Sequence, residues 1–520
     1  MSRFSVPRRM LMCALVLIVL VTSACGGRIE RPEGLRDAVT VAGIREHQQA
    51  LQQAATENGG NRVSGTAGYD ESADYVMQRL EKAGYEPSSF EFEFFLVADR
   101  TRPVLERVTA PAKTFTEGTD FMTLDYSGSG DVTAEVVAVD LTVPSPAPSA
   151  STSGCEPADF AGFPAGAIAL VQRGACAFRV KTDNAVAAGA AGVIVFNEGS
   201  PGRTEIIPGG TLGEPPASLP VVGTTFALGD ELRNGATNGP TGVSARLRAD
   251  TIAETRTTRN VIAETGGDPH HVVVVGAHLD SVSRGPGIQD NGSGAAAILE
   301  IAEVMGQRKV KTTNKVRFMW YGAEELGLTG STRYVESLDQ AERDRIELML
   351  NFDMVGSPNF VRFVYDGDNS TFPAGPDAQP GPAGSGAIEQ VFLDYFASQQ
   401  LPVEPTPFDG RSDYGPFIDA GIPAGGLFSG AEDIKTPEQA TVYGGTAGAA
   451  YDPCYHLACD TFDNISLTAL DQLSDAAAHA VLTFALRDFG AHPLVEPPAA
   501  AERRVGDGSR PREAADRPTP

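Results

Sequence analysis

Apolar residues fall in two rhythms along this chain. Near-continuous apolar runs at Val272 to Gly276, Val316 to Tyr321 and Leu348 to Met354 read as strands buried on both faces. Between and around them, apolar positions recur at helical spacing. Gly292 to Met305 is one such stretch, and Leu467 to Phe489 is another, capped by Ser466 and carrying Leu470, Leu473, Ala477, Val481 and Phe484 on one side. Earlier, Arg36 to Gln53 reads as a helix. Tyr69 to Ala83 reads as a second, with Tyr69, Ala73, Val76 and Leu80 in register and Gly84 as its stop. Phe90 to Val97 reads as a strand. Buried strands alternating with helices predict an α/β fold: a doubly wound, mixed but mostly parallel sheet flanked by helices.

From about Tyr126 to Ala249 the texture changes. Glycines are frequent, a Pro/Ser-rich loop runs from Val143 to Ser153, and Ile168 to Gln172 leads into Arg173-Gly174-Ala175-Cys176-Ala177-Phe178. A helix ending at Ala188-Gly189-Ala190-Ala191-Gly192 and a strand from Val193 to Asn197 follow. This stretch resembles the protease-associated domain, a small α/β insertion beside the active sites of exported peptidases. The expected organisation is a peptidase domain in two parts, 36–125 and 250–490, interrupted by an insertion at 126–249.

The first residues change the picture from folded domain to exported protein. Arg3, Arg8 and Arg9 precede an apolar run from Met10 to Val21 and the small residues Thr22, Ser23 and Ala24, which makes 1–24 a signal peptide. Cys25 follows, and Thr22-Ser23-Ala24-Cys25-Gly26-Gly27 resembles a bacterial lipobox, although Thr22 stands where an aliphatic residue is commoner. The resemblance implies lipid on Cys25, a polar tether over 25–35 and a place on the outer face of the cell membrane. The other mature cysteines form two local pairs, Cys155 with Cys176 and Cys454 with Cys459. In an exported chain these argue for two disulfides. The tail 491–520 is rich in proline, arginine and acidic residues without apolar periodicity and is expected to be disordered.

Of 520 residues 42% are hydrophobic and 21% are charged, ordinary globular usage. The net charge is −26, and loss of the three signal arginines takes it to −29, a balance that repels nucleic acid and anionic head groups.

Candidate chemistry gathers at the predicted strand ends. The valine run delivers His278-Leu279-Asp280 to the carboxyl end of a strand, where open α/β sheets build their sites. Asp280, two residues on, is placed to accept the second imidazole N–H. Asp290 stands at a helix start; taken alone it reads more readily as a cap than as a ligand shared by two cations. Glu324 and Glu325 adjoin in an apolar setting where like charges repel, unless a dication lies near; one would then bind metal and the other act as general base. Asp353 and His456 complete a set of five nitrogen and oxygen donors of the kind that holds two zinc ions. His47, His270, His271, His479 and His492 lie outside it.

Together, His278-x-Asp280, Asp290-Asn-Gly-Ser-Gly, Glu324-Glu325-x-Gly, Asn351-x-Asp353, Gly410-Arg411-Ser412-Asp413-Tyr414 and Tyr451-Asp-Pro-Cys-Tyr-His456 resemble the secreted co-catalytic zinc aminopeptidases of the bacterial aminopeptidase S and vacuolar aminopeptidase Y type. The resemblance covers about residues 40 to 490. It implies two zinc ions per chain, one on His278 and Asp353, the other on Glu325 and His456, with Asp290 between them. It also implies Glu324 as general acid/base, Tyr455 as donor to the developing oxyanion, and Arg411 with Asp353 near the free amino end of a peptide whose first residue is apolar. Three other readings stay open: a carboxypeptidase on this scaffold, a glutaminyl cyclase on it, and a lipid-anchored binding protein without catalysis.

Overall fold

The computed structural model describes residues 29–207, 210–375 and 378–494. The expected signal peptide, the lipobox with Cys25 and most of the expected tail lie outside the described residues. Among the described residues no helix is long and apolar enough to cross a membrane.

The valine run sits in the middle of the sheet. Strand Asp268–His278 has parallel neighbours on both sides, Ile346–Phe352 and Asn314–Tyr321. Beyond the first of these lie Ala424–Phe428, then the short strands Phe363–Tyr365 and Glu404–Thr406; beyond the second lies Gly239–Glu264, antiparallel. Alternation explains why every valine of the run is buried. Val273 and Val275 face a core with helices Gly292–Gln307 and Leu467–Leu486, while Val272 and Val274 face Tyr334, Phe417 and Ile418 on the other side. Each such side chain contributes about 1.5–3 kcal/mol by leaving water, so the run has no solvent-facing register to slip into.

Gly239–Glu264 is long enough to join two parts of one continuous sheet. Its later part pairs with Asn314–Tyr321, and its earlier part pairs with Gly130–Ala138, which leads to the parallel strands Ile168–Gln172, Gly192–Phe196 and Val221–Thr224. Ser88–Arg107 runs antiparallel along nearly all of it. The strand expected over Phe90 to Val97 therefore continues to Arg107, because the partner strand supplies hydrogen bonds beyond the apolar stretch. Residue 249, the expected end of the insertion, lies mid-strand in the same ribbon.

Two expectations at the start of the described chain change. The helix expected over Arg36 to Gln53 is two helices, Pro32–Arg36 and Val41–Glu57. Thr40 breaks it by capping the second one, its hydroxyl accepting from the Gly43 N–H at 3.1 Å. The segment expected as a polar tether is packed from Ile29 onward: Ile29 and Leu35 are buried in the main core, and Pro32–Arg36 lies against Leu467–Leu486. Two apolar side chains with a face to cover outweigh an otherwise polar composition.

Candidate active site

Strand register builds the first half of the site. His278 is the last residue of its strand and pairs with Tyr321; Gly276 pairs with Asn351 on the other side. Asp353, two residues past Asn351, is thus level with His278, and Gly322 to Glu325 leave the neighbouring strand at the same edge. That turn is fixed by the Gly322 N–H to Asn260 Oδ1 at 2.9 Å and the Ala323 N–H to Ser64 Oγ at 2.7 Å.

Asp290 is brought in by Asn291. It is Asn291 that caps helix Gly292–Gln307, its Oδ1 accepting from Gly294 N at 2.9 Å and Met354 N at 3.1 Å while its Nδ2 donates to Phe352 O at 2.9 Å. The Asp290 side chain is thereby free of capping duty, although taken alone its position reads as a cap. The helix start lies so close to the Asp353 strand that a Cβ on Gly294 would sit 2.0 Å from Phe352 O. This explains the last glycine of the Asp-Asn-Gly-Ser-Gly run in steric terms.

His456 arrives from a loop rather than a strand end. Cys454 and Cys459 are bridged around it, as Cys155 and Cys176 are bridged in the inserted region. Asp452 Oδ1 accepts from Cys454 N and from Asn464 Nδ2, both at 2.9 Å. Asp460 accepts from Gln289 N at 2.8 Å and from Asp290 N at 3.0 Å. One loop thus carries an imidazole and the clamp on Asp290.

The side chains converge. Asp290 Oδ1 is 3.2 Å from His278 Nε2, and Asp290 Oδ2 is 3.1 Å from His456 Nε2. Asp353 Oδ1 lies 3.3 Å from His278 Nε2, and Glu325 Oε2 lies 2.9 Å from His456 Nε2. Glu324 Oε2 stands further off, 3.9 Å from His278 Nε2. The expected contact of Asp280 with the other imidazole nitrogen is long, 3.7 Å, outside hydrogen-bonding range; Asp280 Oδ1 accepts the Glu324 N–H at 3.2 Å instead.

Arg411 is on the rim, with Nη1 on Glu432 Oε1 at 2.8 Å and Nη2 on Tyr455 Oη at 3.0 Å. Its neighbour Ser412 reaches the centre, donating to Asp353 Oδ2 at 2.5 Å while accepting from Asn351 Nδ2 at 2.7 Å. Tyr455 stacks on His456, ring centroids 3.8 Å apart. His47 lies apart from the site, its Nδ1 2.9 Å from Tyr75 Oη. His270 and His271 are on strand Asp268–His278, at the end away from His278.

Charge in this pocket is out of balance. Burial opposes a charged His278, yet Asp353 and Glu324 pull its pKa well above the ordinary imidazole range. Burial likewise opposes charge on His456, but Glu325 and Asp290 lift it to about 10. Burial would raise Asp290, and the two imidazoles overcome it and hold its carboxyl below the usual range. Glu324 is pushed well up by burial despite His278, and Glu325 up by burial despite His456. Two protonated imidazoles are too little positive charge for this many buried carboxylates. The buried atoms Glu325 Oε1 and Asp353 Oδ1 have no hydrogen-bond partner. A set of two imidazoles and three carboxylates with oxygens to spare fits divalent cations of the zinc class.

Sequence reasoning passed over Arg62. It is fully buried and hooks the loop between His278 and Asp290, with Nε on Pro286 O at 2.8 Å, Nη2 on Gly287 O at 2.5 Å and Nη1 on Leu279 O. An arginine before a valine in a polar stretch carries no local signal of this. Asp460 was also missed, although it directly follows the second cysteine of a predicted pair.

Residues 260–481 match Peptidase family M28, and residues 132–232 match the PA domain. An "Aminopeptidase" of Pseudomonas aeruginosa is 47% identical over 452 residues, covering 86% of this chain and 82% of that one. The "Probable lipoprotein aminopeptidase LpqL" of Mycobacterium tuberculosis is 42% identical over 464 residues, 88% of this chain and 87% of that one. The solved aminopeptidase from Aneurinibacillus sp. strain AM-1 superposes with a TM-score of 0.58 at 28% identity, covering 90% of this chain and 98% of that one. The chain belongs to peptidase family M28 and carries a PA domain.

Proposed function

We propose that this protein is an exported zinc aminopeptidase that removes N-terminal residues, apolar ones by preference, from peptides. The observation that carries the reading is the position of Asp290, whose two oxygens face different imidazoles, His278 at 3.2 Å and His456 at 3.1 Å. His278 and Asp353 would hold one zinc, His456 and Glu325 the other, and Asp290 would serve both. When bound, the ions supply Lewis acidity, polarising the scissile carbonyl and lowering the pKa of water from about 15.7 towards 7.

The chain's own residues do the rest. Glu324, close to the imidazole yet outside the tight ligand distances, takes a proton from the attacking water and returns it to the leaving amine. Tyr455 donates its hydroxyl hydrogen to the developing oxyanion. Asp353, with Arg411 on the rim, lies by the substrate's free amino end, where excess negative charge favours an ammonium. A carboxypeptidase needs a cation free for the substrate carboxylate; Arg62 is committed to backbone carbonyls and Arg411 to Glu432 and Tyr455. Cys25 would carry lipid and hold the enzyme on the outer face of the membrane; the lipoprotein name of the mycobacterial relative supports this.

The test combines elemental analysis with an amino-acid anilide offered free and N-acetylated. About two zincs per chain and hydrolysis of the free amine alone are expected. Absence of transition metal with no restoration by zinc, or equal hydrolysis of the blocked substrate, would overturn the reading.

A further inference from the structure

Three side chains on the rim, Glu432, Arg411 and Tyr455, form a hydrogen-bonded chain in which the mechanism gives Glu432 no part. Glu432 accepts from Arg411 at 2.8 Å, and Arg411 donates to Tyr455 Oη at 3.0 Å. The Tyr455 ring lies against His456 at an interplanar angle of 22°. The Arg411 backbone is pinned as well, its N–H donating to Asp409 Oδ1 at 3.0 Å.

A phenol hydroxyl has one hydrogen to give and lone pairs to receive. A guanidinium only donates. Arg411 therefore occupies a lone pair of Tyr455 and cannot take its hydrogen, which is left for another acceptor. Arg411 could do this only if its long side chain is held, and a guanidinium half in water has many rotamers to lose. Glu432 is the group that holds it, by a charge-assisted bond to the opposite nitrogen.

We infer that Glu432 is a positioning residue for the proposed hydrolysis: by fixing Arg411 it keeps the Tyr455 hydroxyl aligned to donate to an oxygen of the reacting substrate. This rests on the aminopeptidase reading. Glu432 and Arg411 are each 52% exposed at the side chain, so their pairing adds little to folding stability and its loss is read in the chemistry.

The experiment uses the zinc-loaded full chain and a free amino-acid anilide, with Glu432→Ala, Glu432→Gln, Arg411→Ala and the Glu432→Ala/Arg411→Ala double variant. Glu432→Ala is expected to lower kcat about tenfold with KM changed less than about twofold, a fraction of the hundred- to thousandfold loss for deleting an oxyanion donor outright. Glu432→Gln, which keeps an acceptor oxygen, should recover most of the rate. In the Arg411→Ala background, Glu432→Ala should add nothing, because its effect travels through the guanidinium. A KM rise at constant kcat would overturn the inference by placing Glu432 on the substrate itself. Losses that multiply in the double variant would overturn it by making the two residues independent. Failure of the wild-type protein to cleave the free anilide with zinc present would instead bring down the aminopeptidase reading, and this inference with it.

Discussion

The backbone N–H of Asp290 donates to Asp460 Oδ2 at 3.0 Å, joining two parts of the chain 170 residues apart at the one carboxylate that faces both imidazoles. Asp460 has its other oxygen on Gln289 N, so it seats the whole entry to the helix that follows. Asp460→Asn keeps one acceptor oxygen but presents an amide N–H₂ to the second backbone N–H, a donor facing a donor. Zinc affinity is expected to fall by about ten- to hundredfold, the range for groups that orient metal ligands. Titration of the metal-free protein with zinc, read by calorimetry, checks it; an unchanged affinity would show that the loop holds Asp290 without Asp460.

Glu324→Gln should separate metal binding from catalysis. Glu324 stands 3.9 Å from His278 Nε2, whereas Asp353 and Asp290 approach to 3.3 and 3.2 Å, so an uncharged amide there leaves the ligand set in place. Turnover is expected to drop by at least about a hundredfold while both zincs stay bound. Loss of metal along with activity would make Glu324 a ligand; retention of activity would remove it from proton transfer.

What could be read from the sequence follows the range of the forces involved. Strand ends with chemistry on them, His278, Glu325 and Asp353, were legible because a buried parallel strand announces itself as an apolar run and its carboxyl end is where a site forms. For Asp290 a cap and a ligand have the same local pattern, and only the resemblance separated them; the contacts of Asn291 with Gly294, Phe352 and Met354 show that the cap is Asn291. Arg62 was not legible at all, because its partners are carbonyls more than two hundred residues away. The span of the Ser88–Arg107 strand was hidden for a similar reason: its polar half is extended only because Gly239–Glu264 lies beside it.

The metal-free protein should lose stability as pH rises. His456 has a folded pKa of about 10, lifted by Glu325 and Asp290 against the effect of burial, compared with about 6.5 in an unfolded chain. A raised pKa means that the protonated imidazole stabilises the fold; the effect is full below pH 6.5 and gone once pH passes about 10. Asp460 acts in the same direction. Burial, with Asp452 beside it, brings its carboxyl to about 8, so ionising it costs stability on the way up from about 3.9. Zinc reverses the sign, since it binds the deprotonated imidazole and its affinity grows with pH. Calorimetric scans with chelator and with zinc should therefore show a gap in Tm that widens from pH 6.5 to 10. A constant or shrinking gap would mean that the imidazoles are not the zinc ligands.

Replacing Cys454 and Cys459 together by serine should weaken the site more than the fold. The bridge closes a loop of only five residues' separation, for which chain entropy contributes about 2 kcal/mol, a modest part of a large protein's stability. The same loop carries His456, Asp460 and the Asp452 bonds to Cys454 N and Asn464, so its freedom is spent directly on one imidazole and on the clamp of Asp290. The proposed ligand pair His456 and Glu325 depends on it; the proposed pair His278 and Asp353 hangs on the sheet and does not. The double variant is expected to keep its unfolding midpoint within a few degrees and to lose one zinc at a lower chelator concentration than the other, followed by elemental analysis along the chelator series. Simultaneous loss of both would show that Asp290 couples the two halves more strongly than the disulfide loop divides them.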